Sequence, residues 1–423
     1  MSEVSKIKSI KAKEILASNG KPTLKVEVFL ENGISQGFKV PVGTSKGKKE
    51  AKELRDNDPN YFLGLGVKKA VKNIKEIIEP KLVGENVFFQ EKIDQILIEL
   101  DGTKDKSKLG ANALIGVSGA ILKAASKAKK MPLWKYISCL YNFSPKIPGF
   151  LMNFVNGGKH SFSPLRFQEY LFIIGGEIKV LEKLNLAYFV FEKLKEKVKK
   201  LGAKAIGIGD EGGIVFPFED EKLPLKILKE IISSLPPHIS YYSPPLLGLD
   251  VAASSFYKNG FYETSLGNLT SKEMLEYILK ITKEFNLFYL EDPFYEDDFE
   301  SFKKLNLETK NFDFPSFVVG DDLTVTKETL IEKAGKMEAI SGVIIKPNQV
   351  GTISETIKAI KMAQKLNLKI IVSHRSGETE DDFLADFAVG VGADFSKMGG
   401  ICRGERIVKY NRMIQIENEI QST

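Results

Sequence analysis

A chain of 423 residues with 43% hydrophobic content can hold two domains, one of them the size of a barrel of ~250 residues. No apolar stretch nears the ~18 residues a membrane helix needs, the first residues carry no signal-peptide core, and Cys139 and Cys402 make no disulfide framework, so a cytoplasmic protein is expected. The net charge of +6 sits on scattered lysines or on solvated helix faces such as 193–200, which argues against a nucleic-acid surface.

Residues 7–15 and 23–30 cluster β-formers around the turn Ser18-Asn-Gly-Lys-Pro22 and predict two strands. Gly43-Thr-Ser-Lys-Gly47 predicts a glycine-bounded polar loop. Helical periodicity covers 66–82, 88–99 and 110–128, the last alanine-rich and suited to close packing. Pro145–Pro148 marks a boundary, giving an N-terminal α+β capping domain over 1–144 and a C-terminal domain over 145–423. Beyond it, strand–helix alternation runs to about residue 417. Six apolar runs there end abruptly in charge: Leu246-Leu-Gly-Leu-Asp250, Leu287-Phe-Tyr-Leu-Glu291, Phe317-Val-Val-Gly-Asp-Asp322, Val343-Ile-Ile-Lys346, Ile370-Ile-Val-Ser-His-Arg375 and Ala393-Asp-Phe-Ser-Lys397. Their ends lie roughly 22 to 41 residues apart, one strand plus one helix. Parallel strands buried on both faces read as continuous apolar runs, and in a closed barrel their C-terminal ends converge on one mouth. The fold class predicted is α/β, with an eightfold β/α barrel behind the cap.

That mouth would gather Asp250, Glu291 and Asp321, which need a cation between them or a proton on one of them. An all-oxygen set without histidine or cysteine suits a hard ion, Mg²⁺ first and Mn²⁺ or Ca²⁺ behind it. Lys346, at the end of a buried strand near Lys397, Arg375 and any bound metal, is expected to have a depressed pKa and to serve as a base; its plainer role is an ion pair with one of the three acids. Gly209-Asp-Glu-Gly-Gly213 offers Asp210 or Glu211 as an acid, or is a surface turn. Ser373-His-Arg-Ser-Gly377 suits a phosphate clamp, or leaves Arg375 in a surface ion pair. Arginine is confined to Arg55, Arg166, Arg375, Arg403, Arg406 and Arg412, in a chain that uses lysine for most positive charge. Such equipment suits removal of a proton beside a carboxylate and expulsion of a leaving group by an acid on the other side.

The motifs Glu-Leu-Asp-Gly-Thr (99–103), Lys-Ser-Lys-Leu-Gly-Ala-Asn-Ala (106–113), Met-Asn-x-x-Asn-Gly-Gly-x-His (152–160), Gly-Asp-Glu-Gly-Gly (209–213), Leu-Asp-Val-Ala-Ala-Ser (249–254), Glu-Asp-Pro-Phe (291–294), Gly-Asp-Asp-Leu-Thr-Val-Thr (320–326), Lys-x-Asn-Gln-x-Gly-Thr (346–352) and Ser-His-Arg-Ser-Gly-Glu-Thr-Glu-Asp (373–381) together resemble enolase, the glycolytic 2-phosphoglycerate dehydratase. The likeness covers nearly the whole chain, and Pro347 gives its lysine motif an archaeal look. It implies a cap with a three-stranded sheet and a barrel whose opening strands depart from strict βα order. It also implies two Mg²⁺ per site, the first on Asp250, Glu291 and Asp321, the second held by substrate and Ser45. Lys346 would take the C2 proton, Glu211 would assist loss of the C3 hydroxyl with Glu169 in support, and Lys397 would face the substrate carboxylate. Arg375 and Ser376 would clamp the phosphate, and His160 and His374 would close over the substrate. A homodimer or higher homo-oligomer in the cytoplasm is implied as well. The chain departs from the family pattern at Ala17–Thr23, near the usual dimer contact, in the loop Val42–Gly47, where Lys46 follows Ser45, at Ser161 and Ser163, and at Met398-Gly399-Gly400.

Overall fold

The computed structural model describes residues 5–44, 47–158, 161–175, 178–236 and 244–422. Ser45 and His160, both expected in the site, lie outside them.

The N-terminal part is an antiparallel sheet of β1 (Ile7–Leu16), β2 (Pro22–Leu30) and β3 (Ser35–Lys39) in the order β1-β2-β3. Leu24, Val26, Val28 and Leu30 alternate along β2 and are buried, so one sheet face meets the helix Ala111–Ala128 while the other is largely solvated. The expected helices appear at 68–82, where a π segment over Ile74–Ile78 joins two α-helical pieces, at Gln90–Asp101 and at Ala111–Ala128. β3, the third strand that the family likeness implies, carries no periodic signal of its own, since Ser-Gln-Gly-Phe-Lys buries only Phe38, and the helix Leu133–Tyr141 is not among the expected elements.

Eight strands then close a barrel: β4 (Gly149–Asn156), β5 (Glu169–Ile174), β6 (Leu246–Asp250), β7 (Tyr289–Glu291), β8 (Phe317–Gly320), β9 (Gly342–Ile345), β10 (Lys369–Ser373) and β11 (Phe395–Lys397). Around the ring the order is β11-β10-β9-β8-β7-β6-β5-β4, and β4 pairs back with β11. All of these pairings are parallel except those of β5, which runs against both β4 and β6. The barrel opening therefore departs from strict βα order. Side chains alternate between two cores. Leu151, Leu171, Ile173, Tyr289, Val319, Ile344 and Ile371 fill the barrel interior, while Phe150, Phe172, Leu290, Val343 and Ile370 face the surrounding helices. Burial on both faces is why these strands read as unbroken apolar runs.

The cap leans on the barrel at the mouth. Val42 and Gly377 exchange both backbone hydrogen bonds, at 2.7 and 2.9 Å, and the Lys39 amide donates to Asp381 at 2.9 Å. These contacts lay the 40–44 segment along the β10 exit. Farther out, Asp94 of the cap accepts from the Ser354 amide and hydroxyl at the start of the helix Ile353–Lys365.

Candidate active site

Three adjacent strands deliver Asp250 and Glu291 at their last residues and Asp321 one residue beyond. Asp250 and Glu291 are register partners. The antiparallel sense of β5 brings its first residue, Glu169, to the same rim, in register with Asp250. Lys397, at the end of β11, donates to Asp250 at 2.9 Å and Glu291 at 2.7 Å and lies 3.3 Å from Glu169. Burial alone would lower its amine, but these carboxylates hold it well above its ordinary value. Burial and the nearby Asp250 push Glu291 up to about 7. The Tyr289 hydroxyl donates to its Oε2 at 2.6 Å, while its Oε1 is buried with no hydrogen-bond partner among the described residues.

Lys346 forms a partly buried ion pair with Asp321, whose other oxygen accepts from Gln349 Nε2 at 3.0 Å. This corrects the expectation of a depressed pKa. Burial, Arg375 and Lys397 do lower the amine, but Asp321 and Glu291 outweigh them and hold it above the ordinary value. The expected depression counts a bound cation beside Lys397 and Arg375, and such a cation would offset the two carboxylates that raise the amine. The same pairing drives Asp321 below its usual range against the effect of burial.

Across the ring, Glu211 sits in the loop between β5 and β6, and both Asn153 and Asn156 of β4 donate to its Oε2, at 3.1 and 3.2 Å. Asn156 Oδ1 also accepts from the Gly213 amide at 3.0 Å, fixing the loop. Burial and then the neighbouring Glu211 push Glu169 well above its usual value, as expected for two carboxyl groups sharing one buried site. Carboxylate oxygens of Glu169 and Glu211 and a ring nitrogen of His374 lie within 4.8 Å of one another. Arg375 is buried, and its guanidinium grips Glu50 of the cap with Nη1 at 2.9 Å and Nη2 at 3.2 Å. It is an ion pair, but not a surface one. Ser376 Oγ accepts from the Thr44 amide at 3.1 Å. A single recess is lined by Glu169, Glu211, Asp250, Lys346, His374, Arg375, Ser376 and Lys397. It adjoins a cavity of about 250 Å³ bounded by Thr44, Asp250, Asp292, Asp321 and Asp322.

Family models for "Enolase, N-terminal domain" and "Enolase, C-terminal TIM barrel domain" match residues 7–137 and 145–423. The chain belongs to the enolase family. It is 40% identical over 422 residues to an enolase of Methanocaldococcus jannaschii, covering 99% of this chain and 97% of that protein. It is 42% identical over 435 residues to an enolase of Ureaplasma parvum serovar 3, with 98% and 97% covered. It is 40% identical over 429 residues to enolase B of Dictyostelium discoideum, with 98% and 95% covered. Enolase is a hydro-lyase, a phosphopyruvate hydratase, and this chain has that class of activity.

Every enolase-type position named from the sequence that falls within the described residues reaches the mouth. Glu291 and Asp321 border it through their lysine partners, and the others line the recess itself. The polar supports were not foreseen. Asn153, Asn156 and Gln349 were visible only as fixed letters in motifs, and Glu50 gave no signal at all, since its partner lies 325 positions away. Asp292 also escaped notice. It turns back at φ 41° to accept from the Asp321 and Asp322 amides at 3.0 and 2.6 Å, which aims Asp321 into the mouth. Carboxylate oxygens of Asp321, Asp292 and Asp322 lie within 4.8 Å of one another, while Lys397 bridges Asp250 and Glu291. The chemistry of the expected set fits a hard cation: Asp250, Glu291 and Asp321 supply only oxygens, and the Glu291 oxygen without a partner is a buried acceptor.

Proposed function

We propose that this chain interconverts 2-phospho-D-glycerate and phosphoenolpyruvate in the cytoplasm, in glycolysis and gluconeogenesis, as a homodimer or larger homo-oligomer with two Mg²⁺ per site. The observation carrying the assignment of roles is the placement of Lys346 and Glu169 four strands apart in a ring of eight, on opposite walls of one mouth. A base and an acid so placed can work on opposite faces of a small substrate.

In this reading Lys346, as the free amine, removes the C2 proton, and the electron pair moves into the substrate carboxylate. The ammonium of Lys397 faces that carboxylate as its charge grows. Glu211, in its protonated form and with Glu169 beside it, gives its proton to the C3 hydroxyl, which leaves as water while the electron pair closes the C2–C3 double bond. Arg375 and Ser376 hold the phosphate, for which Glu50 is the place-holder on the guanidinium. Asp250, Glu291 and Asp321 would hold one Mg²⁺ and Ser45 a second, which would supply positive charge for the substrate carboxylate and offset the carboxylates that keep Lys346 protonated.

The test is phosphoenolpyruvate absorbance from 2-phosphoglycerate with Mg²⁺, then with chelator. Signal with the metal and none after chelation is expected. Purified protein that is silent with Mg²⁺ between about pH 6 and 9 would overturn the reading.

A further inference from the structure

Arg406 is fully buried, in a chain that spends few arginines, and none of the roles above uses it. It lies in the helix Gly404–Gln421, behind the recess. Its Nη1 is 2.6 Å from His374 Nδ1 and donates to the Arg375 carbonyl at 2.8 Å. Its Nη2 donates to the carbonyls of Asp210 at 2.8 Å and Ser376 at 2.7 Å. The stem runs beneath Gly399, where φ is +91° and a Cβ would stand 2.7 Å from Arg406 Cδ. That fit explains the glycine at position 399.

A guanidinium has five N–H donors, no acceptor, and does not lose its proton in a protein. The ring atom it meets must therefore be a lone pair. With Nδ1 accepting, the imidazole carries its one proton on Nε2. A second proton could be added only on Nδ1, against the guanidinium. We propose that Arg406 is a positioning residue which fixes His374 as a neutral imidazole, donating through Nε2, and which ties that ring, the 375–376 backbone and the Asp210–Glu211 loop into one rigid unit. The electrostatics agree. Burial and then Arg406 lower His374 well below the ordinary range, Lys397 and Lys346 act in the same sense, and Glu211 opposes them. Among the described residues, a carboxylate oxygen of Glu169 also lies within 4.8 Å of a ring nitrogen.

The consequence concerns specificity. A ring held in this state can only donate, so the substrate atom opposite it must be an acceptor: a phosphate, carboxylate or hydroxyl oxygen. It also keeps His374 from competing with Lys346 for a proton. The inference rests on the recess being the active site only for that consequence. The tautomer can be read in resting enzyme without substrate, so its failure and the failure of the activity assay are separate results.

The experiment is nitrogen NMR of the full chain with labelled histidine. The sequence has three histidines, so His374→Gln assigns the signal. Wild-type enzyme should show His374 with an unprotonated Nδ1 and a protonated Nε2, unchanged between about pH 5 and 8. In Arg406→Gln the ring should exchange tautomers or titrate, kcat should fall about 10- to 100-fold, and its pH profile should gain a limb from the freed imidazole. Arg406→Lys, which keeps a charged donor, should preserve the tautomer while losing part of kcat. A protonated Nδ1 in wild type, or a folded Arg406→Gln enzyme whose His374 signals and pH profile do not change, would overturn the proposal. Should Arg406→Gln fail to fold, the wild-type spectrum and Arg406→Lys decide it.

Discussion

Lys346 and Lys397 carry the same group and share one acidic mouth, yet they are placed differently. Lys397 touches Asp250, Glu291 and Glu169 together and is the more firmly protonated, as suits a fixed cation. Lys346 leans on Asp321, so one change at that carboxylate alters its proton affinity. If Lys346 is the base, Lys346→Ala should lower exchange of the substrate C2 proton with solvent by at least about 100- to 10,000-fold, the usual range for a positioned base. Exchange is measured by isotope incorporation. Glu211→Gln keeps an oxygen for Asn153 and Asn156 but has no proton to give, so dehydration should stop while exchange stays measurable. Equal loss of both reactions in that variant would show that the two roles are not divided between these groups. The charged ends were legible in the sequence because each closes a strand buried on both faces. Their partners were not, because a carboxamide 58 residues away in the chain, such as Asn153 from Glu211, leaves no periodic trace.

Strand direction decides what each element brings to the site. β5 presents its first residue where its neighbours present their last, so Glu169 opens an apolar run instead of ending one. That inversion hid it from a search for terminal charges, and only the family likeness gave it a role. The cap contributes loops by the same logic of close approach. At Gly43 a Cβ would lie 1.9 Å from Arg375 Nη2. Gly43→Ala must therefore displace the guanidinium, and KM should rise about tenfold or more, the worth of one charge-assisted hydrogen bond. Steady-state kinetics at unchanged thermal stability would show it, and an unchanged KM would mean that Arg375 does not hold the substrate. The helix Gln90–Asp101 supplies a second, purely structural case. Burial raises Asp94 to about 6, although the hydroxyls of Ser118 and Ser354 oppose the shift. A folded-state value above the unfolded one means the folded chain binds the extra proton. The stabilisation is complete below about pH 4 and is lost as pH rises through about 6, by up to about 3 kcal/mol. Asp94→Asn should remove that slope. Urea unfolding of both proteins from about pH 4 to 8 measures it, and parallel curves would refute it.

Taken as a whole, the cap and barrel press a surplus of carboxylates into one buried junction. Glu50 comes from the cap, and Glu169, Glu211, Asp250, Glu291, Asp292, Asp321 and Asp322 come from the barrel. Lys346, Lys397, Arg375 and Arg406 answer them in part. Burial raises Asp292 and Asp322 well above the usual carboxylate range, Asp322 adding to the push on the first and Asp321 to that on the second. An interior this acidic gains stability from any cation that binds the folded chain and not the unfolded one. On the proposed assignment, Mg²⁺ at 100 times its Kd should add about 2.7 kcal/mol to the unfolding free energy, and chelator should take it away. Glu291→Gln removes half of the buried acceptor pair whose Oε1 lacks a partner, so its unfolding should respond much less to the ion. Denaturant titrations of the two proteins with and without Mg²⁺ separate binding at this cradle from general screening. General screening would stabilise both proteins alike and would respond equally to a monovalent salt of matched ionic strength.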